Sequence, residues 1–371
     1  MEAMDMKIKQ SMVGLVPYQP GKPIEEVKRE LGLKEVIKLA SNENPYGASP
    51  DVKEAIMEAY QDIAVYPDGY ARELREAVAS HVNVLPEQLI FGNGSDDVIL
   101  ILCRSFLTPA DNIVTANPTF SQYRHNAVIE GAEVKEIPLK EGVHDLDAML
   151  DAIDEQTKMV FVCNPNNPTG TYNSSREFMN FIKQVPEDVL VISDEAYIEY
   201  VTAEDYPETI PLIKDYPNLM ILRTFSKAYG LAALRVGFGI ANEELIRVID
   251  PGREPFNTNT MGQKAAVAAL KDQDFIQSCT KQNHQEMKKY EEFCRESGFH
   301  YFPSQTNFIL MDLKKPGSEI FDYLLRRGFI TRNGEALGFP TGIRITLGSP
   351  EQNDLIISEL KKWLTAEVHP T

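Results

Sequence analysis

The segment Gln88-Leu89-Ile90-Phe91-Gly92-Asn93-Gly94-Ser95-Asp96 joins a short apolar run to a polar turn rich in glycine. Residues 88–91 have the length and composition of a buried strand, and a helix is predicted from the turn to residue 107. A strand that passes through a tight turn into a helix is the building unit of sheets covered by helices. The segment therefore predicts an α/β fold, in which the turn lies at a helix N-terminus.

The same alternation continues on the C-terminal side of this segment. Strands are predicted at 112–116, 133–139, 159–163, 189–193 and 218–224, and helices at 120–130, 146–153 and 174–183. Such alternation requires crossover connections, so we expect a mainly parallel sheet with helices on both faces. The last third differs: helices are predicted near 262–296, at 317–327 and at 351–364, and strands at 307–312, 329–332 and 342–347. This pattern is typical of a smaller α+β domain.

The chain is accordingly divided into three parts. Residues 1–40 are predicted to be an N-terminal arm that contributes to the small domain, residues 41–255 the large domain, and residues 256–371 the small C-terminal domain. Within the arm, three prolines in residues 15–23 prevent a regular element, and a short amphipathic helix is predicted over 24–31. This arm is expected to lie over a domain or a partner subunit.

Composition excludes several classes of protein. The 37 Lys and Arg residues against 55 Asp and Glu residues give a net charge of -18. That balance argues against a nucleic-acid or anionic-membrane partner. No signal peptide and no apolar run of spanning length is visible, the four cysteines have no C-x-x-C spacing, and the histidines have no metal spacing. We therefore expect a cytoplasmic protein with reduced thiols and no metal site.

Lys227 is the first candidate for chemistry. It follows the predicted strand at 218–224, so it lies at a strand's C-terminal end, where open α/β sheets bind ligands. Partial burial and the charge of Arg235 would both lower the pKa of its amine, which favours nucleophilic attack on an aldehyde. The alternative is a solvated loop lysine, because short motifs often occur by chance.

Three further turns lie at predicted strand ends. The turn at 92–96 offers backbone N–H groups and Ser95 to a phosphate, although Asp97 rules out a dinucleotide fingerprint. In the turn at 163–170, prolines restrict the backbone and so hold the Asn167 side chain in a fixed position. Asp194 follows the next predicted strand, and its carboxylate would need a cationic or N–H partner if it were buried. Arg235 suits a charge-assisted bond to the phosphate. A helix cap, a plain turn, a strand-end cap and a surface ion pair remain the respective alternatives.

Taken in order, these residues resemble the fold type I pyridoxal-phosphate aminotransferases. The similarity rests on Asn-Pro-x-Asn-Pro-Thr-Gly at 164–170, Asp-Glu-Ala-Tyr at 194–197, Thr-x-Ser-Lys at 224–227 and Arg235. Further motifs resemble the histidinol-phosphate aminotransferases within that group: Tyr-Gln-Pro-Gly at 18–21, Ser-Asn-Glu-Asn-Pro-Tyr-Gly at 41–47, Tyr-Pro-Asp-Gly at 66–69, Gly-Asn-Gly-Ser-Asp-Asp at 92–97 and Gly-x-Arg-Ile-Thr-x-Gly at 342–348. Together they cover essentially the whole chain.

The resemblance implies a role for each matching residue. Lys227 would bind pyridoxal 5'-phosphate covalently and then transfer a proton between the substrate and the cofactor. Asp194 would keep the ring nitrogen protonated, and Asn167 and Tyr197 would hydrogen-bond the ring's 3-oxygen. Phe120, where many members have tyrosine, would stack on the ring. The phosphate would be surrounded by Ser95, Asp96, Thr224, Ser226 and Arg235, with the partner subunit's Tyr66, which requires a homodimer.

Substrate binding is implied for three residues: Tyr18 and Arg332 at the phosphate of histidinol phosphate, and Arg344 at a carboxylate or phosphate. The implied reaction converts L-histidinol phosphate and 2-oxoglutarate into imidazole acetol phosphate and L-glutamate. Three alternatives stay open at this point. The scaffold is equally suited to an aromatic amino-acid aminotransferase, since aromatic residues and arginines accept phenylalanine or tyrosine too. Another reaction of the same cofactor, such as decarboxylation, or a non-catalytic phosphate- or nucleotide-binding protein would also explain parts of the pattern.

Overall fold

The computed structural model describes residues 7–17 and 21–368. Helices and strands alternate along most of this length. The strands are β1 (Ile37–Lys38), β2 (Leu89–Gly92), β3 (Asn112–Asn117), β4 (Glu133–Pro138), β5 (Thr157–Cys163), β6 (Leu190–Asp194), β7 (Leu219–Thr224), β8 (Gly237–Ala241), β9 (His300–Tyr301), β10 (Phe308–Asp312), β11 (Phe329–Ile330), β12 (Arg332–Asn333) and β13 (Gly342–Thr346). The helices are α1 (Ile24–Leu31), α2 (Asp51–Ala59), α3 (Arg72–Val82), α4 (Ser95–Phe106), α5 (Gln122–Glu130), α6 (Leu146–Asp151), α7 (Ser175–Ile182), α8 (Glu243–Ile249), α9 (Thr260–Lys271), α10 (Gln273–Ser297), α11 (Gly317–Leu325) and α12 (Pro350–Val368).

A seven-stranded sheet forms the centre of the fold, in the order β2-β8-β7-β6-β5-β3-β4. The pairs from β7 across to β4 are parallel, whereas β8 runs antiparallel to both of its neighbours. Because the parallel strands end at the same edge, the turns that follow β3, β5, β6 and β7 are brought together. The predicted α/β fold with a mainly parallel sheet is confirmed.

Helices cover both faces of this sheet. Ile99, Tyr123 and Ile246, from α4, α5 and α8, belong to the buried cluster on one face. Phe178 from α7 and Ala266 from α9 belong to the cluster on the other. Central strands such as β5 and β6 carry buried side chains nearly throughout, as expected for a sheet with both faces covered. The edge where the turns after β3, β5, β6 and β7 meet therefore rests on a packed three-layer core.

A second, antiparallel sheet has the order β12-β13-β10-β9 and packs with α10, α11 and α12 around a separate apolar cluster. The N-terminal segment joins this part, since Leu39 lies in the same cluster and β1 pairs with β11. In the described part of the chain, no helix is both long and apolar enough to cross a bilayer.

The packing of α9 bears on where the large domain ends. The sequence places the boundary after residue 255, before α9. The buried residues Ala265, Ala266 and Ala269 of α9 belong to the apolar cluster on the seven-stranded sheet. We propose that the large domain extends through α9, with the small domain beginning in α10.

Candidate active site

A cavity of about 1190 Å3 opens where β3, β5, β6 and β7 end, between the large sheet and the small domain. Its wall includes residues from both sheets and from the N-terminal segment. Twelve of the residues singled out in the sequence line it: Ser95, Asp96, Phe120, Asn167, Asp194, Tyr197, Thr224, Ser226, Lys227, Arg235, Arg332 and Arg344. Segments far apart in the chain thus supply a single concave site.

Lys227 lies just beyond the end of β7 and is partly buried. Its Nζ is 3.5 Å from the carbonyl oxygen of Ser41 and 5.6 Å from the centre of the Tyr197 ring. Burial, followed by the charge of Arg344, lowers the pKa of this amine to about 8. Near neutral pH a useful fraction of the amine is unprotonated, and so it can act as a nucleophile or accept a proton.

Asp194, at the end of β6, is 3% exposed. One carboxylate oxygen accepts a hydrogen bond from the Tyr123 hydroxyl at 2.7 Å and the other from the backbone N–H of Ala196 at 3.2 Å. Burial raises the pKa of Asp194 to about 6, and the Tyr123 bond opposes that rise. Both of these donors are neutral, so the buried carboxylate provides a strong site for a cationic group.

A cradle of hydrogen-bond donors lies at the N-terminus of α4. Arg235 extends over this turn, with its guanidinium 3.3 Å from the Ser226 hydroxyl and 3.3 Å from the Asp96 carboxylate. Gly94 has a φ of +86, which favours glycine, and a Cβ there would lie 2.5 Å from the Arg235 guanidinium. Arg235 itself has a left-handed backbone, with φ +54. The helix N-terminus and the guanidinium together favour an anion.

Aromatic and amide groups flank the space between Asp194 and Lys227. The Phe120 ring contacts the Tyr123 ring edge-on, with centroids 5.5 Å apart, which fixes its orientation. Asn167 accepts a hydrogen bond from Arg344 at 2.5 Å, and the Tyr197 hydroxyl accepts one from Asn42 at 2.8 Å. The arrangement suits a flat, polar ring held between a cationic amine and a carboxylate.

Two arginines face each other at the small-domain side of the cavity. Arg332 on β12 is directly opposite Arg344 on β13 in the antiparallel register. Arg344 also donates to the carbonyl oxygen of Ala40 at 2.8 Å, and its guanidinium lies 5.1 Å from the centre of the Phe308 ring. Like charges directly opposite on a sheet repel each other, and an anion bound between them relieves that repulsion.

The two remaining predicted residues are Tyr66 and Tyr18. Tyr66 is 79% exposed, stacks on Phe256 with ring centroids 4.8 Å apart, and does not line the cavity of its own chain. Tyr18 lies outside the described residues.

Comparison with known proteins agrees with this geometry. The sequence model of the family aminotransferase class I and II matches residues 34–360. A histidinol-phosphate aminotransferase of Geobacillus sp. (strain WCH70) is 63% identical over 359 residues, which cover 97% of this chain and 98% of that protein. The corresponding protein of Bacillus subtilis (strain 168) is 61% identical over 360 residues, covering 97% and 100%. The chain belongs to the histidinol-phosphate aminotransferase family.

Solved structures support the same assignment. The histidinol-phosphate aminotransferase of Sinorhizobium meliloti, in complex with pyridoxal-5'-phosphate, superposes with a TM-score of 0.86 at 28% identity and covers 96% of this chain and 97% of that one. Family membership confirms the resemblance inferred from the sequence motifs. It also establishes that this chain is an aminotransferase rather than a non-catalytic binding protein.

Two residues that contact the candidate site residues, Tyr123 and Asn42, were not identified from the sequence. Tyr123 reads as an ordinary apolar position of a helix, although a hydroxyl on the buried face of α5 requires a polar partner. Asn42 lies in the motif at 41–47, which carries part of the family resemblance, but no role was assigned to this residue, and its left-handed φ of +59 cannot be read from the sequence. Among residues 7–17 and 21–368, no group of three or more His, Cys, Asp or Glu side chains is arranged to hold a metal ion.

Proposed function

We propose that the protein transfers the amino group of L-histidinol phosphate to 2-oxoglutarate, giving imidazole acetol phosphate and L-glutamate in histidine biosynthesis. The observation that carries this proposal is the joining of Lys227, Asp194 and the Arg332–Arg344 pair in a single cavity. The amine and carboxylate suit amino-group transfer, and the two cations suit a substrate with a phosphate. Relatives that match 97% of the chain at about 60% identity carry the name histidinol-phosphate aminotransferase, which supports histidinol phosphate as the amino donor.

The cavity fits pyridoxal 5'-phosphate as the cofactor. A phosphate cradle at Gly94 and Arg235, a buried carboxylate at Asp194 and an amine of lowered pKa at Lys227 are the three features that this molecule requires. The cradle is kept open by a glycine whose Cβ would collide with the guanidinium. When bound, this cofactor supplies an aldehyde carbon and an electron-accepting ring.

Each residue of the site would then have a separate role. Lys227 would bind the cofactor covalently and would accept and return the proton at the substrate Cα. Asp194 would keep the ring nitrogen protonated, with Tyr123 orienting the carboxylate. Asn167 and Tyr197 would hydrogen-bond the 3-oxygen, and Phe120 would stack on the ring. The phosphate would be held by Ser95, Asp96, Thr224, Ser226 and Arg235.

Arg344 and Arg332 would bind the anionic end of each substrate, together with Tyr18. The same pair must accept the phosphate of histidinol phosphate and the carboxylates of glutamate and 2-oxoglutarate, because the two half-reactions share one site. Guanidinium groups bind both kinds of anion in bidentate geometry. Two adjacent arginines therefore match a double specificity better than one would.

Rapid mixing of the cofactor-loaded protein with single substrates tests the proposed substrate. We expect histidinol phosphate to convert the cofactor's absorbance band to that of its amine form at far lower concentration than phenylalanine does. The reason is that a dianionic phosphate gains more from two arginines than a single carboxylate does. Faster conversion by phenylalanine would instead favour an aromatic amino-acid aminotransferase, and release of CO2 without glutamate formation would indicate a decarboxylase.

We also propose a homodimer in which the partner subunit's Tyr66 reaches the cofactor phosphate. An exposed apolar surface surrounds this residue: Met57, Tyr60, Ile63, Val65, Tyr66, Tyr70 and Phe256 are each 45% to 79% exposed. A patch of this kind marks an interface. A two-fold axis would place each Tyr66 at the other chain's cavity.

Mixed dimers of one impaired and one inactive variant test this arrangement. Tyr66→Ala should lower activity at least about tenfold through loss of a hydrogen bond to a charged group, and Lys227→Ala should abolish activity. Coexpressing both variants in equal amounts should restore about one quarter of wild-type activity, because half of the dimers would carry one intact site. No recovery despite demonstrated mixed dimers would place Tyr66 and Lys227 of one chain in the same site.

The four cysteines are buried and unpaired. This supports a reducing compartment, and we propose the cytoplasm as the place of the reaction.

A further inference from the structure

Asn42 connects three separate parts of the molecule at the wall of the cavity. It lies in the N-terminal segment, is 2% exposed and has a left-handed backbone with φ +59. Its side chain contacts Tyr197 of the large domain and Thr346 of the small-domain strand β13. Its carbonyl oxygen accepts a hydrogen bond from Asn307 at 2.9 Å. A buried residue with this many partners has one allowed orientation.

The hydrogen bonds around Asn42 have a defined direction. The Thr346 hydroxyl donates to the side-chain oxygen of Asn42 at 2.9 Å and accepts from its backbone N–H at 3.0 Å. With its oxygen used in this way, the amide turns its NH2 group to Tyr197 and donates to the phenol oxygen at 2.8 Å. Thr346 therefore sets the orientation of Asn42, and Asn42 sets that of Tyr197.

The direction matters for the Tyr197 proton. A phenol oxygen that accepts from Asn42 must donate its own hydrogen elsewhere. Within the described part of the chain, the Tyr197 hydroxyl has no hydrogen-bond acceptor, and Tyr197 lines the cavity. Its proton is thus available to an acceptor in the cavity. An anionic oxygen on a bound ring would gain a charge-assisted hydrogen bond there.

We propose that Thr346 and Asn42 form a directed hydrogen-bond chain that holds the Tyr197 hydroxyl as a donor to the 3-oxygen of the bound cofactor. This proposal rests on the proposed function, because it requires pyridoxal 5'-phosphate in the cavity. Thr346 and Asn42 are positioning residues that act through Tyr197; Asn42 also lines the cavity, whereas Thr346 does not.

The chain also links the cofactor to the substrate-binding strand. Thr346 lies two residues after Arg344 on β13, and Arg344 donates to the carbonyl oxygen of Ala40, two residues before Asn42. Arg344 contacts Asn167 as well, the second residue assigned to the 3-oxygen. An anion that draws Arg344 toward itself therefore acts on the same short segment that orients Tyr197.

Asn42→Asp reverses the direction of the chain with little change in shape. An aspartate has no N–H to donate, so it accepts from Tyr197 and turns that proton away from the cavity. Loss of the donor makes the cofactor's 3-oxygen more basic. We expect the pH midpoint of the bound cofactor's absorbance change to rise by about one unit.

The charge of the added carboxylate could by itself raise the pH midpoint. Repeating the Asn42→Asp substitution in a protein that lacks the Tyr197 hydroxyl separates this effect from the reversed hydrogen bond. In Tyr197→Phe protein the proposed chain has no end point, so Asn42→Asp should then shift the midpoint much less. The groups facing Tyr197 are Arg344, Cys163, Asp194 and Lys227, and they are unchanged in every variant. An equal shift with and without the Tyr197 hydroxyl, or no shift at all, would overturn the proposal.

Thr346 supplies a matched pair without a charge change. Thr346→Val removes the hydroxyl at nearly constant volume and should raise the midpoint in the same direction, whereas Thr346→Ser should keep it near the wild-type value. Thermal unfolding of each cofactor-free variant shows whether the fold is retained. Failure of the cofactor assignment would be seen separately, since wild-type protein would then develop no cofactor band at all; failure of the substrate assignment would be seen in the rapid-mixing test and would leave this band in place.

Discussion

Replacing Lys227 by alanine is expected to lower the turnover number at least about ten-thousandfold, because both covalent attachment of the cofactor and proton transfer at the substrate would be lost. Steady-state assays with histidinol phosphate and 2-oxoglutarate measure this loss. The cofactor's absorbance in the variant should resemble that of the free aldehyde. A variant that kept more than about one hundredth of wild-type turnover would show that another group performs the proton transfer.

The same substitution should not harm the cofactor-free fold. Among the described residues, the amine makes one hydrogen bond, to the carbonyl oxygen of Ser41 at 3.5 Å, and burial lowers its pKa from 10.5 to about 8. Below pH 8 the folded protein carries a charged amine in an unfavourable place, and this cost disappears as the pH rises from 8 to 10.5. Lys227→Ala should therefore unfold at the same or a higher temperature at pH 7, with the advantage shrinking toward pH 10.5. Thermal unfolding without cofactor at several pH values tests the sign.

Much of the sheet could be predicted because its strands are apolar and its turns are distinctive. The strands predicted at 112–116 and 159–163 were found as β3 and β5, with ends that differ by at most two residues. Strand β8 was missed, since Gly237 and Gly239 weaken its strand signal. The structure explains these glycines: a Cβ on Gly237 would lie 2.2 Å from the backbone nitrogen of Ser95, and one on Gly239 would lie 2.5 Å from Met220. Close packing between distant segments is not visible along a single sequence.

In the candidate site, too, residues with a local sequence signal were predicted, whereas those that depend on distant contacts were not. Lys227, Asp194 and Arg235 follow strands or glycine-rich turns, so their place at one sheet edge could be inferred from order along the chain. Tyr123 and Asn42 could not, because their importance comes from partners 71 and 155 residues away. Residues that act directly on a ligand carry local motifs, whereas residues that orient them depend on the tertiary fold.

Replacing Asp194 by asparagine is expected to have the second largest effect on turnover, at least about a hundredfold. Removing one member of a buried ion pair costs about 3 kcal/mol or more, and the asparagine cannot neutralise a protonated ring nitrogen. Cofactor affinity should fall with turnover, which a spectroscopic titration of the cofactor-free protein measures. Retained affinity together with full turnover would mean that the ring nitrogen is not paired with this carboxylate.

Without cofactor, Asp194→Asn should be more stable than wild type near neutral pH, although it binds cofactor less well. Measuring the stability of the cofactor-free protein therefore separates the effect on folding from the effect on binding. Burial raises the pKa of Asp194 from 3.8 to about 6, so the folded state binds a proton more tightly than the unfolded state between these values. Wild-type stability therefore falls as the pH rises through this interval, and the full cost of the buried charge persists above pH 6. Asp194→Asn removes that cost, so its stability relative to wild type should increase from pH 4 to pH 7.

Tyr123→Phe is the matched control, because it removes the hydroxyl that donates to Asp194 at 2.7 Å while keeping the carboxylate. The pH interval over which stability falls should then extend to higher pH, since this hydrogen bond opposes the rise in the pKa of Asp194. A constant stability difference between pH 4 and pH 7 would show that the carboxylate is not held at a cost, and the case for Asp194 as a site prepared for a cation would fail.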